Sequence, residues 1–172
     1  MAICRICKSK FEKRSISHRA CSSPCALELG RIAAEKKSRK EHKEARDKIK
    51  SRPEWLKDAQ AIFNKFIRLR DDKLPCISCQ KHHSGQYHAG HYLGVRARPE
   101  LRFNEYNVSK QCQPCNTHLS GNLVLYRKNL IEKIGIGNVE WLEGYHEPKK
   151  LSIDDIKQII KIYKDKIKNE QT

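Results

Sequence analysis

The chain has 172 residues, of which 38% are hydrophobic and 33% charged, with a formal net charge of +16 at pH 7. That length fits one medium domain or two small ones with thin cores. No apolar run approaches the roughly 20 residues that span a bilayer, and the start "MAICRICKSK" lacks an apolar signal core, so a cytoplasmic protein is expected. So strong a positive charge points to a polyanion bound with salt-sensitive affinity. Nucleic acid is favoured over an anionic membrane, because the basic helices lack the sustained aromatic and leucine face that interfacial insertion needs.

In chain order, residues 1–30 hold the pairs Cys4/Cys7 and Cys21/Cys25. So short a segment, with few large apolar residues, needs a metal to fold. Four disulfides do not suit a reducing compartment. Close thiolate pairs on tight turns suit tetrahedral Zn²⁺, and a redox CxxC would need no second pair. Proximity in the chain therefore predicts two structural zincs, one on Cys4, Cys7, Cys21 and Cys25 and one on Cys76, Cys79, Cys112 and Cys115.

Residues 31–52 read as a basic helical arm or linker, rich in helix formers and poor in apolar residues after Ala34. Residues 53–134 begin with the clearest amphipathic signal. Trp55, Leu56, Ala59, Ile62, Phe63, Phe66 and Ile67 recur at helical spacing after Pro53, and this helix is expected to pack on the second zinc module. A strand near Tyr87–Leu93, another near Leu101–Tyr106 and a helix running from about Asn116 to Gly135 follow. Residues 135–172 read as a connection, "NVEWLEGYHEP", and a closing helix. Ser152 and Asp155 resemble a capping box, with Ile153, Ile156, Ile159, Ile160 and Tyr163 facing inward.

Between the last two cysteine pairs lies "YHAGHY". A zinc-bound strand–loop–strand–helix would bring His91 on the first strand opposite Asn116 at the helix start. Phosphodiester cleavage needs a base that activates water and a divalent cation on the scissile phosphate, and these residue types supply both. Alternatively, the histidines complete a zinc shell or pack in the core. A complete four-cysteine set makes the former unnecessary.

Together, "CISC", "HAGHY", Asn107 and "QCQPCN" resemble the HNH, or ββα-metal, nuclease motif over residues 76–122. They are also similar to the zinc-bound junction-resolving nuclease of phage T4, endonuclease VII. With the N-terminal knuckle, the arm, "RLRD" and "SGN", most of the chain resembles the phage lambda NinG (Rap) recombination endonuclease family. The fold class this implies is α+β and mostly helical, with a small zinc-bound ββα core and a separate N-terminal four-cysteine knuckle. The resemblance implies His91 as general base, Asn107 as the brace of the loop and Asn116 as ligand of a catalytic Mg²⁺ or Mn²⁺. It further implies phosphate contacts by Arg96, Arg98 and Arg102, and cleavage of branched DNA such as Holliday junctions and D-loops during phage recombination, in the bacterial host cell. Two cuts at a two-fold junction favour a homodimer, and other phage recombination proteins are possible partners.

One departure from the motif concerns the cation. HNH enzymes commonly place an Asp just before the base, where this chain has Gly90. His88, where lambda-type members carry an acid, is the candidate replacement ligand. Positions 88 and 91 fall on opposite faces of a strand, so a bulge at Ala89–Gly90 is expected if His88 is to reach the cation. His118, Asp71 and Asp72 are weaker candidates, Asp71 and Asp72 reading as ordinary helix-end acids. His82 and His83 read as loop residues. The competing functions are a zinc-based DNA-binding module without catalysis and a less selective HNH endonuclease.

Overall fold

Four cysteines tie the ends of the first zinc-type module, in which β1 (Ala2–Ile3) and β2 (Lys10–Phe11) pair antiparallel. The turn that carries Cys4 and Cys7 closes through Cys4 N donating to Ser9 O at 2.9 Å, with Lys8 left-handed. Cys21 precedes α1 (Ser23–Ile49) and Cys25 lies in its first turn, which also accommodates Pro24. The arm is thus one continuous 27-residue helix that grows directly out of the cysteine cluster. Its residues are exposed or half-buried, and ion pairs such as Arg31–Glu28 and Arg31–Glu35 support it along its own surface. The computed structural model describes residues 1–170, and these divide into two compact units, residues 1–50 and the chain from Ser51 onward.

The second unit is built on α2 (Arg52–Arg70) and α5 (Ile153–Asn169). Both open with a capping box, from Ser51 and Glu54 and from Ser152 and Asp155. Trp55 and Ala59 of α2 cluster with Ile156 and Ile160 of α5, and Phe63, Phe66 and Ile67 cluster with Tyr163 and Ile167. The two helices therefore run side by side in the same direction. Each of the isoleucine and phenylalanine side chains contributes about 1.5–3 kcal/mol on full burial. Ile153 is exposed, because it precedes the turn on which the inward stripe begins.

Against α2 lies a two-stranded antiparallel sheet of β3 (Tyr87–His91) and β4 (Val108–Cys112). The second strand therefore starts at Val108 rather than near Leu101. Residues 99–101 form a 3₁₀ turn, and Asn104 Oδ1 accepts from the N–H groups of Tyr106 and Asn107, an Asx-type turn that ends where the strand begins. Ala89 and Val108 pack into the Phe63/Phe66/Ile67 core.

The expected helix from Asn116 is also broken. Residues 114–118 form a short π-helical turn, Ser120, Gly121 and Asn122 are all left-handed, and α3 starts afresh (Leu123–Ile134). The "SGN" run is the reason. Glycine tolerates that conformation, and the Gly121 carbonyl is used there, accepting from Gln111 Nε2 and Ser78 Oγ. The segment after Gly135, read from sequence as a connection, is a helix, α4 (Ile136–Glu143). Val139 and Leu142 of α4 complete a second core with Ile77, Tyr92, Leu101, Tyr126 and Leu130. Apolar residues at i and i+3 in so short a stretch gave too little period to separate helix from loop.

Candidate functional site

Each cysteine quartet brings four sulfurs within 4.8 Å of one another. Individual Sγ separations are 3.3 Å for Cys7–Cys21, 3.8 Å for Cys21–Cys25 and 3.9 Å for Cys79–Cys112. A tetrahedron with metal–sulfur bonds of about 2.3 Å has edges of about 3.8 Å, so both quartets fit a zinc ion. Backbone N–H groups prepare the sulfurs for it, as where Cys112 N donates to Cys76 Sγ at 3.3 Å. Burial pushes the Cys4 thiol up, but N–H donors from Cys7, Cys21 and Ile6 outweigh it and hold the thiol at about 6. Burial pushes Cys112 up to about 12. The two cysteine sets are those paired by proximity in the sequence.

The second quartet anchors the sheet. Cys112 ends β4, and Cys115 lies in the π turn that carries Asn116, so the cysteine cluster fixes that turn beside β3. His88 Nδ1 there accepts from Asn116 Nδ2 at 3.0 Å. The approach needs no bulge. Residues 87–91 pair one to one with 112–108, so His88 and Gly90 share one face of the sheet and Tyr87, Ala89 and His91 the other. The expected bulge is absent because Asn116 already lies on the side of His88.

Gly90 faces the same side as His88, and sterics explain why it carries no side chain. A Cβ there would sit 2.1 Å from Gln111 Oε1. Gln111 is fixed, its Nε2 donating to Ser78 Oγ at 2.7 Å and to Gly121 O at 2.5 Å. The Gly90 carbonyl in turn accepts from Tyr126 Oη at 2.8 Å.

His91, at the end of β3 on the opposite face, is held by the loop. Its Nε2–H donates to the Arg102 carbonyl at 3.0 Å, which leaves Nδ1 as the nitrogen with the free lone pair. Burial lowers its pKa below the usual 6.5 against the hydrogen bond to Arg102, and the Arg102 charge adds to the lowering. Arg102 is itself pushed down by burial and by Arg52, so the surroundings of His91 are short of negative charge.

Asn107 is fully buried between these parts. Its Oδ1 accepts from Leu93 N at 2.8 Å, and its Nδ2 donates to Leu93 O at 3.0 Å and Leu101 O at 3.3 Å. The side chain thus closes the loop between the strands on itself.

Other candidates separate clearly. Arg96 is exposed, while Arg98 is turned inward onto Glu100 and the carbonyls of Leu142 and Gly144. That engagement argues against Arg98 as a phosphate ligand. His118 is exposed, whereas Asn116 is half-buried. Asp71 is no ordinary helix-end acid. It is buried, takes both Arg70 Nε and Nη2 at 2.9 Å and Lys133 Nζ at 2.9 Å, and accepts Lys110 N at 3.0 Å. Burial raises its pKa, but Arg70 and Lys133 outweigh that and hold the carboxyl below 3.8.

His83, read as a loop residue, places Nε2 at 3.2 Å from Cys79 Sγ. Its proximity to a CxxC was the available signal. Gln111 and Lys133 had none, since each acts through a fold contact far away in sequence.

Across residues 1–172 the sequence matches the family model described as Bacteriophage Lambda NinG protein. The chain belongs to that family. Protein ninG of Salmonella phage P22 is 48% identical over 121 residues, 70% of this chain and 60% of the relative. Protein ninG of Escherichia phage lambda is 48% identical over 121 residues, 70% and 59% respectively, and that of Escherichia phage 933W is 46% identical over the same length. The chain spans about 60% of the length of these NinG relatives. No solved structure matches. Among the described residues of this NinG protein, no helix is long and apolar enough to cross a membrane.

Proposed function

We propose that this NinG protein is a metal-dependent endonuclease that hydrolyses phosphodiester bonds in branched DNA, with an HNH-type site at the β3–β4 hairpin. The observation that carries the proposal is the convergence of His88 and Asn116 at 3.0 Å on a turn fixed by the second cysteine quartet. Two adjacent ligands of an octahedral Mg²⁺ lie about 3 Å apart, so the pair fits such an ion once the Asn116 amide presents its oxygen. In HNH sites the acid directly precedes the base and so faces away from it along the strand. His88 faces the same side as position 90, where Gln111 forbids a side chain, so it is suited to replace that acid. An Mg²⁺ or Mn²⁺ ion held by His88 and Asn116 would supply neutralisation of charge on the phosphoryl group.

The remaining work falls to the chain's own residues. His91 Nδ1 takes a proton from water while its Nε2–H stays on the Arg102 carbonyl. The water oxygen bonds to phosphorus, the P–O bond to the leaving sugar oxygen breaks, and that oxygen takes up a proton from solvent. Burial keeps the imidazole neutral and ready as a base at neutral pH. Asn107 holds the loop that carries the Arg102 carbonyl, and Arg96 and Arg102 offer phosphate contacts. The two cysteine quartets would hold zinc ions that supply rigidity. No stretch of the sequence resembles a base-reading helix, which suits recognition of shape and charge over sequence. Two-fold junctions need two cuts, so a homodimer acting with other phage recombination proteins in the host cytoplasm completes the reading.

The deciding experiment compares wild type with His91→Ala on a four-way junction and on a linear duplex of the same sequence, with and without added Mg²⁺. Cleavage of the junction by wild type alone, with binding retained by the variant, is expected. Cleavage by the variant removes His91 as base. Equal cutting of both substrates points to a less selective nuclease, and junction binding without any cutting by wild type points to a non-catalytic DNA-binding module.

A further inference from the structure

The face of α2 and α5 away from the cores carries cations that the proposed cleavage does not use. On α5, Lys157, Lys161, Lys164 and Lys168 follow at i, i+4, i+7 and i+11 and are all exposed. Such a stripe extends about 16 Å along the helix. These side chains line a depression of about 470 Å³ between the two helices, which Lys65 of α2 closes.

Lys65 also lines a second depression of about 480 Å³, together with Arg68, Lys110 and the loop residues His82 and His83. The two depressions therefore form one basic path along α2 toward the second cysteine quartet. Two acids line it, Asp165 and Asp72. Asp165 pairs with Lys168 at 3.4 Å. Lys157 pairs with Asp154 and lies over the Trp55 ring. Lys110 donates to the Asp72 carbonyl and lies over the Tyr87 ring.

The path differs from the other lysine-rich helix. Along α1, acids recur three or four residues from Arg31, Lys37 and Lys40 and pair with them. On α5 two of the three acids, Asp154 and Asp155, sit in the first turn, where the helix dipole favours them, and the stripe beyond is left strongly positive.

Its position relative to the proposed cleavage site decides what it can hold. In the sheet Lys110 pairs with Ala89 while His88 pairs with Gln111, so Lys110 and His88 point to opposite faces. His91 shares the Lys110 face but lies at the far end of β3 from Tyr87, with Ala89 packed into the α2 core between them. The path and the His88/Asn116 pair therefore lie on opposite sides of the hairpin, a spacing that two arms of a branched molecule can straddle.

We propose that this path is a second phosphate track, which grips a duplex arm of branched DNA other than the one entering the His88/Asn116 site. The proposal rests on the nuclease reading for the substrate class, and it supplies a physical source for selectivity. A branched substrate can fill the cleavage site and the track with separate arms, and a linear duplex seated at the cleavage site has no second arm to offer the track.

The test is the triple variant Lys65→Gln/Lys161→Gln/Lys164→Gln, with the corresponding Lys→Arg triple as a control of retained charge. Binding to a fluorescent four-way junction and to a linear duplex is measured against salt, without added Mg²⁺ or Mn²⁺. For the Gln triple the junction's log K against log salt slope is expected to be shallower by about 2.7, the value for three lost phosphate contacts, with the duplex slope unchanged. The Arg triple should restore the junction slope. All three positions are exposed, and an unchanged melting curve verifies that the Gln triple is folded.

An unchanged junction slope overturns the track. Equal loss on junction and duplex overturns its assignment to a second arm. Loss of binding to phosphatidylserine vesicles with junction binding intact assigns the face to a lipid surface instead. Wild-type protein that binds junctions in this salt-sensitive way but never cuts them would sink the nuclease reading and leave the track standing.

Discussion

Gly90 and Gln111 face one another across the β3–β4 hairpin so closely that a Cβ on Gly90 would lie 2.1 Å from Gln111 Oε1 and 3.0 Å from its Cβ. Gln111 is fully buried, its amide nitrogen tied to Ser78 and Gly121, and its Oε1 has no hydrogen-bond partner among the described residues. The contact joins the strand of the histidines to the left-handed turn after the second cysteine pair. It also excludes an acid from position 90.

Replacing Gly90 by Ala should therefore destabilise the second unit by about 1–3 kcal/mol, the usual cost of overpacking. Gly90→Asp should be worse, because it adds a carboxylate beside an unsatisfied buried oxygen. In a double-mutant cycle Gln111→Ala should recover part of the Gly90→Ala loss, since it removes the obstructing atoms. Thermal melting of the four proteins checks this, and strict additivity would show that the two side chains do not collide.

The buried Asp71 makes a second prediction. Arg70 and Lys133 both lean on its carboxylate, so Asp71→Asn leaves two cations facing a neutral amide and should cost about 3–5 kcal/mol. Because the folded pKa lies below the ordinary 3.8, the stabilisation is present above that pH. It is lost as pH falls through the folded value. Wild type should thus lose stability in acid more steeply than Asp71→Asn, as urea melts at pH 7 and pH 3 would show.

Asp71 also shows where the sequence stops being legible. It ends a helix, which made it look ordinary, and its partners Lys133 and Lys110 lie 62 and 39 residues away. Such contacts are products of the fold. By contrast, the two cysteine quartets and α2 follow from local spacing, because thiolate pairs and a 3.6-residue period are short-range signals. The second strand was displaced because an Asx turn at Asn104, not hydrophobic pattern, sets where β4 begins. Of the candidate site, His88 and Asn116 were named as a pair, yet their contact was tied to a bulge. The face on which Asn116 lies depends on how the cysteine quartet seats the π turn, and that is a tertiary fact.

Metal removal should act on the two units separately. The first unit has little apolar core besides its cysteines, so chelating its metal or replacing Cys4 by Ser should unfold the N-terminal module. The second unit retains the α2–α5 core and should lose mainly the seating of the π turn. Metal analysis should give two zinc ions per chain. In the Cys4→Ser protein one zinc and most of the second unit's amide-exchange protection should remain, and loss of both would show that the units do not fold independently.

The neutral state of His91 makes the pH dependence of cleavage the most direct probe of its role. Burial lowers its pKa below 6.5, so in the folded protein it binds a proton less readily than in the unfolded chain. The Mg²⁺-dependent rate should be flat through neutral pH and fall only below 6.5, as the imidazolium forms and Nδ1 loses its lone pair. Stability should fall in the same window, because the unfolded state takes up the proton first. His91→Ala should lower the rate by about 10²–10⁴, the usual contribution of a general base, and abolish this acid limb while leaving junction affinity intact. His88→Ala should act differently. It removes one proposed cation ligand, so the Mg²⁺ concentration for half-maximal rate should rise while the acid limb persists. An acid limb that vanishes in His88→Ala but survives in His91→Ala would exchange the two roles.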